Sequence, residues 1–161
     1  MKSSEPMRRI ALASLIATSL AAPSYAQSGR LTLGIGRTET PSTVFVMNWH
    51  SAPRPAGWSY AAGLHATSLG SAWIGVGASY SLPLGNSPYF LRGTFMPGLY
   101  TRGSDMDLGG PLQFTTSVEF GTTLRNDAEV SLLLLHRSNG GIYRNNPGVN
   151  ALSVNYTIPL N

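Results

Sequence analysis

The 161-residue chain contains no cysteine. Disulfides and thiolate metal centres are therefore excluded. Charge is also scarce, at 11% of residues, against about 25% in an ordinary soluble domain. Beyond Lys2 there is no lysine. The clustered basic face that nucleic acid requires is missing, so no nucleic-acid partner is expected. No glycine-rich phosphate loop or dinucleotide fingerprint is present; Gly34-x-Gly36 stands alone. No helical period stands out after residue 30. The scarcity of charge is not matched by a high apolar content, which is 42%. That argues against a helical membrane protein. Disorder does not fit either, because apolar and aromatic residues run through the whole chain.

The one long apolar run lies at the N-terminus. Lys2, Arg8 and Arg9 precede it, it extends from Ile10 to Ala22, and Pro23-Ser24-Tyr25-Ala26 follows. It is too short to span a bilayer, which takes about 20 residues. A basic segment, an apolar segment and small residues before a cut have the layout of a secretory signal peptide. Residues 1–26 are expected to be that signal, and 27–161 the exported domain. The exported part carries eight Arg against six acidic residues, or +2.

Within 27–161 the recurring pattern is alternation with a period of two, the mark of strands. Strands are predicted near 30–37, 42–50, 58–66, 72–81, 88–96, 113–124, 127–137 and 150–160. In the fourth, Ala72, Ile74, Val76, Ala78 and Tyr80 oppose Trp73, Gly75, Gly77 and Ser79. In the sixth, Phe114, Thr116, Val118 and Phe120 oppose Gln113, Thr115, Ser117 and Glu119. In the eighth, Leu152, Val154, Tyr156 and Ile158 oppose Ala151, Ser153, Asn155 and Thr157.

Two all-β architectures produce such strands. A soluble sandwich buries the apolar faces between two sheets. A transmembrane barrel turns them to lipid and keeps the polar faces inside. Strand length, export and scarce charge favour an eight-stranded antiparallel outer-membrane barrel. Lipid cannot satisfy an open sheet edge, so the first and last strands must pair. Eight strands leave an interior filled by side chains; there Arg92 and Glu119 could pair. Trp49, Trp58, Tyr60, Tyr80, Tyr89, Tyr100 and Tyr156 suit interfacial girdles. With both termini periplasmic, the outer loops fall near 38–41, 67–71, 97–112 and 139–149.

The chemistry collects on the seventh strand, where Leu132-Leu133-Leu134-Leu135 runs into His136-Arg137-Ser138-Asn139-Gly140-Gly141. His136 and Ser138 share a face with Val130, Leu132 and Leu134. In a barrel they face lipid at the outer rim, where polar side chains are costly unless used or solvated. A serine beside a base can act as a nucleophile, given a third group to orient the base. Gly140 and Gly141 bring backbone N–H groups, and Asn139, Asn145 and Asn146 bring amide donors, for a developing oxyanion. His50 and His65 end separate strands at opposite rims, so no two-histidine metal site is expected.

His136-Arg137-Ser138-Asn139-Gly140-Gly141-Ile142, then Asn146-Pro147-Gly148, then a last strand ending Tyr156-Thr157-Ile158-Pro159-Leu160 resembles the PagL-type lipid A 3-O-deacylases. These are outer-membrane acyl-ester hydrolases of Gram-negative bacteria. The resemblance implies hydrolysis of an ester-linked acyl chain of lipid A, within lipopolysaccharide, by a Ser–His mechanism. It implies no cofactor and no metal, an active site facing the outer leaflet, and it leaves room for a homodimer. Carried over, Ser138 is the nucleophile and His136 the base. Gly141 through its N–H and Asn146 through its side chain form the oxyanion hole, and Asn139 belongs to the motif. The family's acidic position, two residues after the glycine of the last loop, is Asn150 here. An amide cannot stabilise an imidazolium by charge, so Asn150→Glu is expected to raise activity. Of the acids, only Asp105 and Asp107, on the long outer loop, lie where a substitute could reach, and a solvated loop is the expected reading of both. The alternative is a small outer-membrane barrel of the same fold, catalytically weakened or non-catalytic, that binds lipid or is structural.

Overall fold

The computed structural model describes residues 29–160; the expected signal peptide lies outside them. Eight strands follow one another: β1 (Arg30–Thr38), β2 (Thr43–His50), β3 (Trp58–Thr67), β4 (Ala72–Pro83), β5 (Tyr89–Thr101), β6 (Leu112–Thr123), β7 (Glu129–Ser138) and β8 (Val149–Pro159). Each pairs antiparallel with the next, and β8 closes on β1. The barrel is therefore without an open edge, as a hydrocarbon surround demands.

The alternation read from the sequence sorts the two faces. Ile74, Val76, Val118, Phe120, Leu132, Leu134, Leu152 and Val154 lie exposed on the outside. Trp73, Gln113, Thr115, Glu119, Ser153, Asn155 and Thr157 are buried inside. The inside is thus smaller and more polar than the outside, the inverse of a soluble core.

Two clusters fill the interior. Toward the end bearing both termini, Arg92 donates to Glu119 (3.1 Å), Glu129 (2.8 Å) and Ser81 (2.9 Å), and Arg30 reaches Glu129 at 3.2 Å. The expected Arg92–Glu119 pair is formed, with Glu129 as a second carboxylate. Toward the opposite end the Trp73 indole lies across three glycines. A Cβ at Gly63, Gly75 or Gly98 would come within 3.0 Å of it. The Arg137 guanidinium sits 4.7 Å from the ring centre. It donates to His65 Nδ1 (2.7 Å) and Thr115 (3.0 Å), and His65 Nε2 in turn donates to Asn48 (2.9 Å).

Three expectations change. β5 does not stop at residue 96 but runs on through Pro97 to Thr101, so the long outer loop shrinks from 97–112 to 102–111. Pro97 has no N–H to give. The β4 ladder is accordingly interrupted between the Ala78–Phe95 and Gly75–Gly98 pairs, yet resumes in the same register. Proline interrupts one ladder there without ending the strand, because β6 holds the other side. Tyr100 is not a girdle residue; it packs inward against the Trp73 cluster and donates to the Met106 carbonyl (3.0 Å). The remaining tryptophans and tyrosines of this set gather at one end. Trp49, Tyr60, Tyr80, Tyr89 and Tyr156 are exposed and all stand toward the end that holds the termini.

Candidate active site

β7 carries its outward stripe of Val130, Leu132 and Leu134 straight to His136 and Ser138. His136 is exposed and Ser138 half-buried, at the barrel end opposite the termini. The pair lies on the lipid-facing side, as the alternation predicts. Beside it runs a shallow groove of about 180 Å³, lined by Thr116, Val118, Leu134, His136 and Asn150. A larger cavity of about 360 Å³ opens at the other mouth, around Arg30, His50, Ser79, Arg92 and Glu129. Its charges are already paired, and no serine–histidine pair of the motif is near it.

His136 stands directly opposite Asn150 in the β7–β8 register. Its Nδ1 lies 2.9 Å from Asn150 Oδ1. Gly148 makes this approach feasible in two ways. Its φ of +69° favours glycine, and a Cβ there would stand 2.9 Å from His136 Cε1. The apolar stripe thus sets the histidine outward, and the Asn-Pro-Gly turn brings β8 against the ring.

The 139–148 loop is organised around Asn139, which is fully buried. Its Nδ2 donates to the Leu108 (2.8 Å) and Asn145 (2.7 Å) carbonyls. Its Oδ1 accepts from the Gly141 (2.9 Å) and Tyr143 (3.4 Å) N–H groups. Both donors and both acceptor sites of one amide are used. Asn139 therefore ties the last outer loop to the 102–111 loop. Its own N–H donates to Asn146 Oδ1 at 3.0 Å. The Gly141 N–H, an expected oxyanion donor, is held by Asn139 here, and Asn146 is held through its oxygen.

The candidate substitute acids do not reach the histidine. Asp105 is buried at the inner rim, accepting from Thr67 (2.8 Å), Ser71 (3.2 Å) and the Met106 N–H (2.8 Å). Asp107 accepts from the Gly109 N–H and faces Arg102. Both belong to loop architecture, because β5 runs longer than predicted and its loop folds inward over the mouth.

The carboxylate that does approach is Glu39, in the 39–42 loop. Thr38 pairs with Ala151 where β1 meets β8, so the next residue falls beside Asn150. The Glu39 N–H donates to the Asn150 carbonyl (3.0 Å). Its carboxylate accepts from the Asn150 N–H (3.1 Å) and Asn150 Nδ2 (2.9 Å). The Asn150 side-chain and then backbone hydrogen bonds, with His136 adding a smaller charge effect, hold the Glu39 carboxyl below its ordinary value of 4.5. Glu39 is missing from the motif because it lies 111 residues from Asn150. The signal for it was the closing register, counted back from the last strand onto the first.

His136, Asn150 and Glu39 thus form one lateral row across β7, β8 and the end of β1. The arrangement holds the imidazole through Nδ1, two residues along the strand from Ser138.

The fold is similar to that of a crystal structure of the outer-membrane enzyme PagL, at 18% identity with a TM-score of 0.68, covering 81% of this chain and 99% of that one. A de novo designed transmembrane β-barrel matches with a TM-score of 0.60 at 10% identity, over 83% of this chain and 96% of that one. The Yersinia pestis outer-membrane protein Ail matches at 0.53 and 8%, over 82% and 99%. No curated protein matches the sequence. The family model for lipid A 3-O-deacylase (PagL) matches residues 32–159. With the closed barrel, its outward His136–Ser138 pair and that match, the chain is an outer-membrane β-barrel and belongs to the lipid A 3-O-deacylase (PagL) family.

Proposed function

We propose that this barrel hydrolyses the ester-linked 3-O-acyl chain of lipid A in the outer leaflet, with Ser138 as nucleophile and His136 as base. The observation that carries the reading is the outward His136, bonded to Asn150 and two residues from Ser138, beside an apolar groove at the outer rim. An acyl chain laid along Val118 and Leu134 would bring its ester to the strand end.

The steps follow from the groups present. Ser138 Oγ attacks the ester carbonyl as its proton passes to His136 Nε2. The tetrahedral oxyanion is met by Asn146 Nδ2, whose own oxygen is already fixed by Asn139. The Gly141 N–H joins when it turns from Asn139. Collapse expels the sugar oxygen, which takes the proton from His136. Water then cleaves the acyl-serine with the same base, releasing the fatty acid and restoring Ser138.

To test this, purified protein is incubated with lipopolysaccharide and the lipid A is examined by mass spectrometry. Loss of one ester-linked acyl chain is expected, and Ser138→Ala should abolish it while the barrel still folds. An unchanged acyl pattern under conditions where another family member is active would refute the reading. The rival, a lipid-binding barrel without catalysis, predicts in addition that a serine-reactive phosphonate leaves Ser138 unlabelled.

A further inference from the structure

We infer that Glu39 is the positioning residue that allows Asn150 to stand where the acid of a Ser–His triad would be. The inference rests on the deacylase reading, since it names what prepares His136 for that chemistry. An amide in this place normally fails for a specific reason. Its NH₂ group can turn to the imidazole and leave the ring in the wrong tautomer, at a cost of about 10⁴ in a serine protease. Here that turn is blocked. An ionised carboxylate accepts hydrogen bonds and cannot donate them. Glu39 takes both the backbone N–H and the Nδ2 group of Asn150, at 3.1 and 2.9 Å. With Nδ2 committed to Glu39, Oδ1 must face His136, where it lies 2.9 Å from Nδ1. An amide oxygen only accepts, so the proton sits on Nδ1. The lone pair is then on Nε2, the nitrogen that has to take the Ser138 proton. The Glu39 charge reaches the ring through the polarised amide.

Barrel closure makes the device available. Glu39 directly follows β1 and His136 lies on β7, strands that are not neighbours, and β8 between them supplies Asn150 to that row. The same geometry revises the expectation for Asn150→Glu. With Glu39 in place, a carboxylate at position 150 faces another carboxylate, so the single substitution does not raise activity.

The test uses full-length protein refolded in detergent and reads two things: the kinetics of lipid A deacylation, and the rate at which a fluorophosphonate labels Ser138. Glu39→Gln can present either an oxygen or an NH₂ to Asn150 and should lower both rates about 10- to 100-fold, by analogy with the groups that orient metal-ligating histidines from behind. KM should stay within about twofold, because no substrate contact is lost. Glu39→Asp should retain more activity than Glu39→Gln. In the Glu39→Gln background, Asn150→Glu should restore both rates, since it places an acceptor-only group directly on Nδ1. Heat-modifiable migration on gels confirms that each barrel is folded. If the parent protein cleaves lipid A and Glu39→Gln cleaves and labels equally fast, the inference is overturned and the deacylase reading stands. If lipid A is not cleaved but labelling falls in Glu39→Gln and returns in the double variant, the substrate is wrong and the Glu39 role stands. If neither cleavage nor labelling occurs in the parent protein, both fall.

Discussion

At the scale of single residues, Asn139 and Glu39 each bond several groups of the outer loops and the last strand. Asn139 spends every hydrogen-bonding position of its amide inside the outer loops. Asn139→Asp would turn a carboxylate oxygen toward the Leu108 and Asn145 carbonyls. The loss is expected to be about 2 to 4 kcal/mol of loop-closing free energy, from two broken bonds and a buried acceptor without a donor. Faster proteolytic cleavage in 102–111 and 139–148, with the barrel itself intact, is the measurement. The motif includes Asn139 without saying what it does; the packed loops show that it bonds the Leu108 carbonyl and the Gly141 N–H. His136 and Ser138 could be read from spacing, because i and i+2 on one strand share a face in any sheet. Glu39 could not, because no local pattern connects a first-loop acid to the last strand.

At the scale of elements, the turn before β8 sets the histidine. Gly148 is needed both for its φ of +69° and for the space beside the His136 ring. Gly148→Ala should cost about 1 to 2 kcal/mol of backbone strain and push the imidazole aside. A fall of about 10² in deacylation is expected, as for a small misplacement of a reacting group. Comparable activity in Gly148→Ala would mean that the ring has another place to sit. β5 teaches the limit of pattern reading. Proline and several glycines after residue 96 look like a loop, yet pairing with β6 carries the strand past Pro97 to Leu99, and resumed pairing with β4 carries it on to Thr101. That extension draws Asp105 inward and removes it from competition for His136.

At the scale of the whole barrel, the interior holds together through charge in the half near the termini and through aromatic packing in the other. Arg92 satisfies both Glu119 and Glu129. Arg92→Met leaves two carboxylates facing each other without a cation apart from Arg30 at the mouth. Breaking a buried pair in this way costs about 3 to 5 kcal/mol. Urea unfolding in lipid vesicles should show that drop, with deacylation by the folded fraction unchanged because the cluster is remote from His136. A shift below about 1 kcal/mol would mean that protonation or water relieves the cluster. The exposed Trp and Tyr side chains gather at the terminal end, whereas the opposite rim carries Phe45, Phe114 and the His136–Ser138 pair.

The sequence by itself determined the strand count, the inside and outside of each strand, and the outward placement of His136 and Ser138. These follow from a two-residue period and from the polar–apolar contrast between its faces, both local properties. The tertiary structure decided what stands behind the histidine. Closing β8 onto β1 aligned residues from the two ends of the chain, and a carboxylate in the first loop came to hold the amide of the last strand. Neither its distance nor its partner is encoded in any window of sequence, since the register of a closed barrel belongs to all eight strands together.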